Sequence, residues 1–208
     1  MKDRYHTLII GSGCAGFSAA NKLYDLGVRD IAIVTEGRTM GTSRNTGSDK
    51  QTYYKLGLGG ESSDSVREMA TDLFSCGAVD GDNALCEAAL SARCFHYLCE
   101  AGVPFPHTAY GEYVGYKTDH DETTRATSCG PLTSKYMTEA LERAVIARGI
   151  PILDGYLAAE ILTAEGEVRG LAAVAMGTGD TVVFSCRNVI LCTGGPACVY
   201  ENTVYPES

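Results

Sequence analysis

The chain has 208 residues, 45% of them hydrophobic, with 17 Lys and Arg against 26 Asp and Glu and a net charge of −9. That content suffices for a sizeable core, as one domain or one domain with a small lobe. No basic run is present to hold nucleic acid or an anionic membrane surface, and no apolar stretch approaches the roughly 18 residues of a spanning helix.

Thr7-Leu8-Ile9-Ile10 reads as a short buried parallel strand, and it runs straight into Gly11-Ser12-Gly13-Cys14-Ala15-Gly16. Cys14 to Leu26 favours a helix that stops at Gly27. A second apolar run, Ile31-Ala32-Ile33-Val34, is closed by the acid Glu36, twenty positions after Gly16. Strand, spaced glycines, helix, strand and acid in this order form a dinucleotide-binding fingerprint. Gly11 permits the tight turn, Gly13 lets a pyrophosphate approach the backbone, and Gly16 lets helix and strand pack closely. The unpaired N–H groups of the helix start attract an anion, and Glu36 suits a ribose diol. Lys2, Arg4, the apolar run and Ser18-Ala19-Ala20 imitate a signal peptide. The glycines, however, stand where the nucleotide turn needs them.

A polar, glycine-bearing segment from Gly37 to Glu61 follows, too long for an ordinary strand-to-helix connection and therefore a candidate binding loop. One helix starts near Asp64 with Val66, Met69, Ala70, Leu73 and Phe74 on its apolar face. A second starts near Asp82, carries Leu85, Ala89, Leu90 and Leu98, and stops at Gly102. Val103-Pro104-Phe105-Pro106 is extended, since each proline biases its predecessor away from helix. A tyrosine-rich loop, Tyr110 to Tyr116, leads into a polar stretch from Lys117 to Gly130. A third helix begins near Thr133, with Met137, Ala140, Leu141, Ala144 and Val145 at core spacing, and Gly149 ends it. From Ile152 to Cys186 the pattern changes to short β segments, with turns near Gly155, Glu165-Gly166 and Gly177 to Asp180. A last strand, Asn188 to Cys192, enters Thr193-Gly194-Gly195. The whole reads as α/β: a doubly wound, Rossmann-like layer with a small antiparallel insertion at about 157–186.

Nine cysteines, an odd number with no CxxC pair, match no zinc or cluster template. They read as small, mostly buried hydrophobes in a reducing cytoplasm. Cys14, at a helix start, is the candidate for a reactive thiol, and Cys198 sits beside a glycine-rich turn. His96 reads as structural. His107 and His120 flank the tyrosine-rich loop and are weighed as substrate contacts. Arg125 and Lys117 read as solvated loop charges that could pair with an anion.

These motifs resemble the N-terminal part of the succinate dehydrogenase/fumarate reductase flavoproteins, a family that includes L-aspartate oxidases and 2-enoate reductases. The resemblance rests on the Gly11–Gly16 turn with Glu36, the Thr42–Gly47 loop, Ala101-Gly102-Val103-Pro104-Phe105, and Val189-Ile190-Leu191-Cys192-Thr193-Gly194-Gly195. The fingerprint alone holds NAD as readily as FAD; the β insertion and the terminal Thr-Gly-Gly favour FAD. The resemblance implies that Gly11, Ser12, Gly13, Ala15 and Gly16 hold the pyrophosphate, and that Glu36 holds the ribose. It places Thr42, Ser43, Asn45, Thr46 and Gly47 beside the isoalloxazine, and the main chain of Ala158 at the adenine. Thr193 and Gly194 would close over the nucleotide, and Phe105 would line the substrate cavity.

The implied reaction passes a hydride between flavin N5 and a small saturated or unsaturated acid. Asn45 stands where covalent relatives carry the attachment histidine, so non-covalent FAD is expected. Asp49-Lys50-Gln51 departs from the small residues usual there. The capping domain, with the proton donor and the carboxylate clamps, would lie beyond Ser208. The expectation for these 208 residues alone is therefore an incomplete FAD-binding domain, with no catalytic residue or metal of its own and a tendency to self-associate.

Overall fold

The computed structural model describes residues 2–58, 63–113, 115–119, 121–195 and 201–202. In chain order the elements are β1 (Thr7–Ile10), α1 (Cys14–Asp25), β2 (Ile31–Thr35), α2 (Thr42–Asn45), β3 (Tyr53–Tyr54), α3 (Val66–Ser75) and α4 (Gly81–Glu100). They continue with β4 (Tyr116–Thr118), β5 (Asp121–Thr127), α5 (Thr133–Ala147), β6 (Ile152–Asp154), β7 (Tyr156–Ala164), β8 (Glu167–Ala175), β9 (Thr181–Ser185) and β10 (Asn188–Leu191). The chain divides into two compact units, Met1–Thr46 with Met137–Ser208, and Gly47–Tyr136. His120 and Cys198 lie outside the described residues.

The first unit is built on a parallel sheet of order β10-β1-β2-β6. β1 and β2 are buried along their whole lengths, which explains why they read as unbroken apolar runs rather than as alternating ones. Leu8, Ile10, Ala32 and Val34 pack with Leu171, Ala173 and Phe184 of a second, antiparallel sheet, β7-β8-β9. That sheet occupies the span expected of the insertion. Its ladder carries a register shift between Ala158 and Glu160, which leaves Ala159 as the extra residue of a bulge.

The second unit joins α3 and α4 to a three-stranded antiparallel sheet of order β3-β5-β4. The sequence shows Lys117 to Gly130 only as a polar stretch, because β5 reads Asp-Glu-Thr-Thr-Arg-Ala-Thr and has almost no apolar residues. Its buried partner is ionic instead. Arg125 is 1% exposed, contrary to the expectation of a solvated charge. Its guanidinium binds Asp64 twice, Nε to Oδ2 at 2.9 Å and Nη2 to Oδ1 at 2.7 Å. It also donates to the Tyr54 hydroxyl at 3.0 Å and pairs with Asp72 and Asp121.

Helix starts fall close to their expected positions. Ser65 Oγ accepts from the Glu68 N–H and donates to the Glu68 carboxylate, and Asp80 accepts from the Asn83 N–H. The faces differ more. α4 buries Ala84, Ala88, Ser91, Phe95 and Leu98, whereas Leu85 and Leu90 are exposed, as is Phe74 on α3. Small residues on α4 allow close packing on α3, so the largest apolar side chains do not mark the inner face.

Burial alone would raise the Asp64 carboxyl, but Arg125 and the N–H groups of Gly57 and Ser65 outweigh it and hold it below the ordinary carboxylate range. A depressed folded value stabilises above the unfolded value of about 4, and that stabilisation is lost as pH falls through the folded one. Asp64→Asn is expected to cost about 3 kcal/mol at pH 7, by leaving Arg125 short of charge. It should also flatten the loss of stability below about pH 4. Urea unfolding across pH measures both; an unchanged midpoint and an unchanged acid limb would refute the role assigned to the pair.

Candidate functional site

The site begins where β1 ends. Gly11 has φ +110°, and a Cβ there would stand 2.3 Å from the Cys192 carbonyl oxygen and 3.4 Å from the Thr193 nitrogen. A Cβ on Gly16 would stand 1.9 Å from the Gly11 carbonyl oxygen. Both glycines are therefore demanded by backbone packing. Gly13 differs: a Cβ there meets only the Ser43 side chain, with the hydroxyl at 3.2 Å. Its freedom from backbone contact leaves the approach open to a ligand.

Gly13 caps α1 without a side-chain hydrogen bond, and the first turn holds no acid. Phe17 N–H is the first to find a helical acceptor, Gly13 O at 3.1 Å. The preceding N–H groups and the helix dipole make this end an anion site. The Ser12 hydroxyl points inward, 2.8 Å from Thr35 Oγ1 and 3.3 Å from the Gly37 carbonyl. Only the main chain of Ser12 is left to meet a ligand. Glu36 follows β2 directly and is exposed.

Thr42 to Asn45 form one helical turn, α2. The Asn45 amide donates to the carbonyls of Thr39 at 2.9 Å and Gly41 at 3.1 Å, and Thr46 Oγ1 donates to Thr42 O at 2.7 Å. Ser43 reaches the glycine turn, so two segments singled out separately in the sequence meet in space. Gly47 opens the second unit, where a Cβ would lie 3.0 Å from the Leu132 side chain. Ala158 pairs with Ala173 in β7, and Thr193 and Gly194 follow β10 as exposed, irregular backbone.

Two residues that no sequence motif marks hold this loop in place. Glu142 on α5, with a side chain only 9% exposed, takes Arg38 Nε on one oxygen at 2.6 Å and Arg44 Nη2 on the other at 2.5 Å. Glu139, one helical turn away, lies 3.7 Å from Arg44 Nη1. A glutamate three residues before another on the helix was the available signal, but nothing in the sequence names its partner arginines. Cys14 is only partly exposed and its Sγ lies 2.9 Å from Thr138 Oγ1, which weighs against a reactive thiol. Burial pushes its thiol up, and the opposing effects of Thr138, Ser43 and Arg44 do not reverse this. Of the other cysteines, Cys76, Cys86 and Cys94 are exposed and only Cys186 is fully buried among those described, against the expectation of mostly buried thiols.

Phe105 belongs to the second unit and is 3% exposed. It packs on Phe95 at 4.8 Å and Tyr53 at 5.7 Å between ring centroids, while Tyr113 stands edge-on to Phe95 at 5.0 Å. His96 meets Phe95 edge-on at 5.7 Å, and His107 touches the rim of this cluster through Tyr113. Lys117 is exposed.

A parallel sheet, an open glycine turn against an uncapped helix and an acid after the second strand define a nucleotide-binding α/β domain. A family model for the FAD binding domain matches residues 6–207, and the chain belongs to that family, the one shared by succinate dehydrogenase and fumarate reductase flavoproteins. Its cofactor is FAD. The chain is 27% identical to an L-aspartate oxidase of Streptomyces coelicolor, over 96% of this chain and 34% of that protein. It is 25% identical to a succinate dehydrogenase flavoprotein subunit of Coxiella burnetii, over 96% and 35%. The fold matches that of Mycobacterium smegmatis Sdh1 with a TM-score of 0.87 at 17% identity, covering 99% of this chain and 36% of that one. The chain thus spans about a third of the length of these relatives. No helix among the described residues is long and apolar enough to cross a membrane.

Each charge-assisted hydrogen bond contributes roughly 1.5–3 kcal/mol. Glu142→Gln weakens two of them, so the amides of Arg44, Asn45 and Thr46 are expected to exchange about ten- to a hundredfold faster while those of β1 and β2 stay unchanged. Equal exchange in the variant loop would show that the two arginines do not order it.

Proposed function

We propose that this chain is the FAD-binding part of an oxidoreductase acting on a small carboxylic acid, saturated or unsaturated. The observation that supports it best is the meeting of Ser43 with the open face of Gly13, which brings the hydroxyl-rich loop to the anion turn. In this reading the main chain from Gly11 to Gly16 receives the pyrophosphate and Glu36 the ribose diol. Thr42, Ser43, Asn45 and Thr46 run beside the flavin ring, the main chain of Ala158 meets the adenine, and Thr193 and Gly194 close over the nucleotide. Bound FAD supplies the hydride chemistry of flavin N5. An amide has no ring nitrogen to alkylate, and Asn45 spends its donors on the loop itself, so the cofactor is held without a covalent link. Relatives include an enzyme named for aspartate and others named for succinate, which is why a small acid is chosen as substrate class. In this reading none of these 208 residues is assigned as proton donor or carboxylate clamp, and the setting is the reducing cytoplasm suggested by nine cysteines. Alone, the 208 residues are expected to self-associate through apolar surface that the complete enzyme would cover.

Gly13→Asp puts a like charge where the pyrophosphate belongs, and Glu36→Ala removes an acceptor contributing roughly 1.5–3 kcal/mol. Titration with FAD is expected to show about ten- to a hundredfold weaker binding for Glu36→Ala and a larger loss for Gly13→Asp. Unchanged affinity in Gly13→Asp would remove the glycine turn from the site. For the activity, anaerobic reoxidation of the reduced, complete holoprotein by fumarate or another small enoate is expected, with negligible turnover by residues 1–208 alone. If no such acid reoxidises the holoprotein, or if the 208 residues turn over freely, the reading fails.

A further inference from the structure

Lys55 is a second large cation inside the second unit, and unlike Arg125 it has no counter-ion in contact among the described residues. Its side chain is fully buried, and its Nζ has no hydrogen-bond partner. The ammonium lies 4.9 Å from the centroid of the Phe95 ring, which aims it at the cluster of Phe95, Phe105, Tyr53 and Tyr113. A cation–π contact returns less than an unpaired ammonium loses on leaving water. Asp64, whose charge acts on Lys55, is already bound by Arg125 twice and by the N–H groups of Gly57 and Ser65. Burial pushes Lys55 below the ordinary lysine value, and the opposing influence of Cys99 and Asp64 does not restore it.

The outer wall of the cluster is Tyr113, which hydrogen-bonds with Cys99 and whose ring meets those of Phe95, His96 and His107. Pro106 to Glu112 is largely exposed, and Thr108, Gly111 and Glu112 bond mainly to one another. Tyr113, which closes the edge of Phe95, follows this loop.

We propose that Lys55 and the rings of Phe95, Phe105 and Tyr53 form a binding site for a planar monocarboxylate, with the ammonium taking the carboxylate and the rings its apolar body, entered by displacement of Tyr113. One unmatched cation among aromatic walls suits a single negative charge. A dicarboxylate would bring its second charge against rings that offer it no donor. The inference deepens the reading of an acid-directed flavoenzyme by choosing the kind of acid, and it rests on that reading for its catalytic meaning only.

The test uses the holoprotein, with trans-cinnamate as the probe and fumarate and inorganic phosphate as comparison anions. Calorimetry is expected to give saturable cinnamate binding, at least tenfold tighter than either comparison anion. Lys55→Met should weaken cinnamate at least tenfold, leave the flavin spectrum and FAD affinity unaltered, and keep or raise the melting temperature. A merely structural lysine would instead lower the melting temperature when replaced. Independently of any variant, the Nζ resonance of [15N]lysine-labelled wild type should shift on adding cinnamate and stay put with phosphate. Undiminished cinnamate binding by Lys55→Met, fumarate binding as tight as cinnamate, or an Nζ resonance indifferent to cinnamate would overturn the proposal. Loss of FAD itself would register separately in the flavin absorbance, so the two readings fail by different signals.

Discussion

Three segments of backbone converge at one point with no room for a side chain, and the first unit is arranged around that convergence. The end of β1, the first turn of α1 and the exit from β10 meet so closely that a methyl group on Gly11 would overlap the Cys192 carbonyl. A methyl on Gly16 would overlap the Gly11 carbonyl. Parallel pairing of β1 with both β2 and β10 fixes the strands in register, and the turn inherits their positions. An open face at Gly13 is the residue of that crowding: it is the one glycine of the three whose missing side chain leaves room for something other than protein.

The two units solve the problem of charge in opposite ways. In the first, a largely buried Glu142 draws Arg38 and Arg44 onto α5, and the ion pairs order a loop. In the second, Arg125 is sunk to 1% exposure and surrounded by three carboxylates and a phenol, so it stands in for the apolar contacts that β5 lacks. Removing one partner of such a centre by itself is costly, because it leaves the other unpaired in a dry place.

What the sequence made legible follows from which forces are local. Buried parallel strands announce themselves as Thr7–Ile10 and Ile31–Thr35, and the glycine spacing carries its own geometry, so the turn between strand and helix could be read directly. Helix ends at Gly27, Gly102 and Gly149 were equally plain, each with positive φ. Hidden were the things made by distant pairing. β5 has the composition of a loop until Asp64 and Asp72 reach Arg125, and α4 hides its inner face behind alanines while exposing Leu85 and Leu90. The arginines of the loop gave no hint that residues a hundred positions away would seat them.

The bulge in β7 has a consequence for how selectivity could be detected at all. Because Ala159 is the extra residue between two paired neighbours, its peptide is released from the ladder that occupies the rest of the strand. Recognition written in main-chain atoms is indifferent to the side chains around it. Alanine scanning is blind at this place, where the wild type already has alanine at both 158 and 159. An experimenter reaches such a feature only by altering the backbone, through proline, an ester bond or a shortened strand.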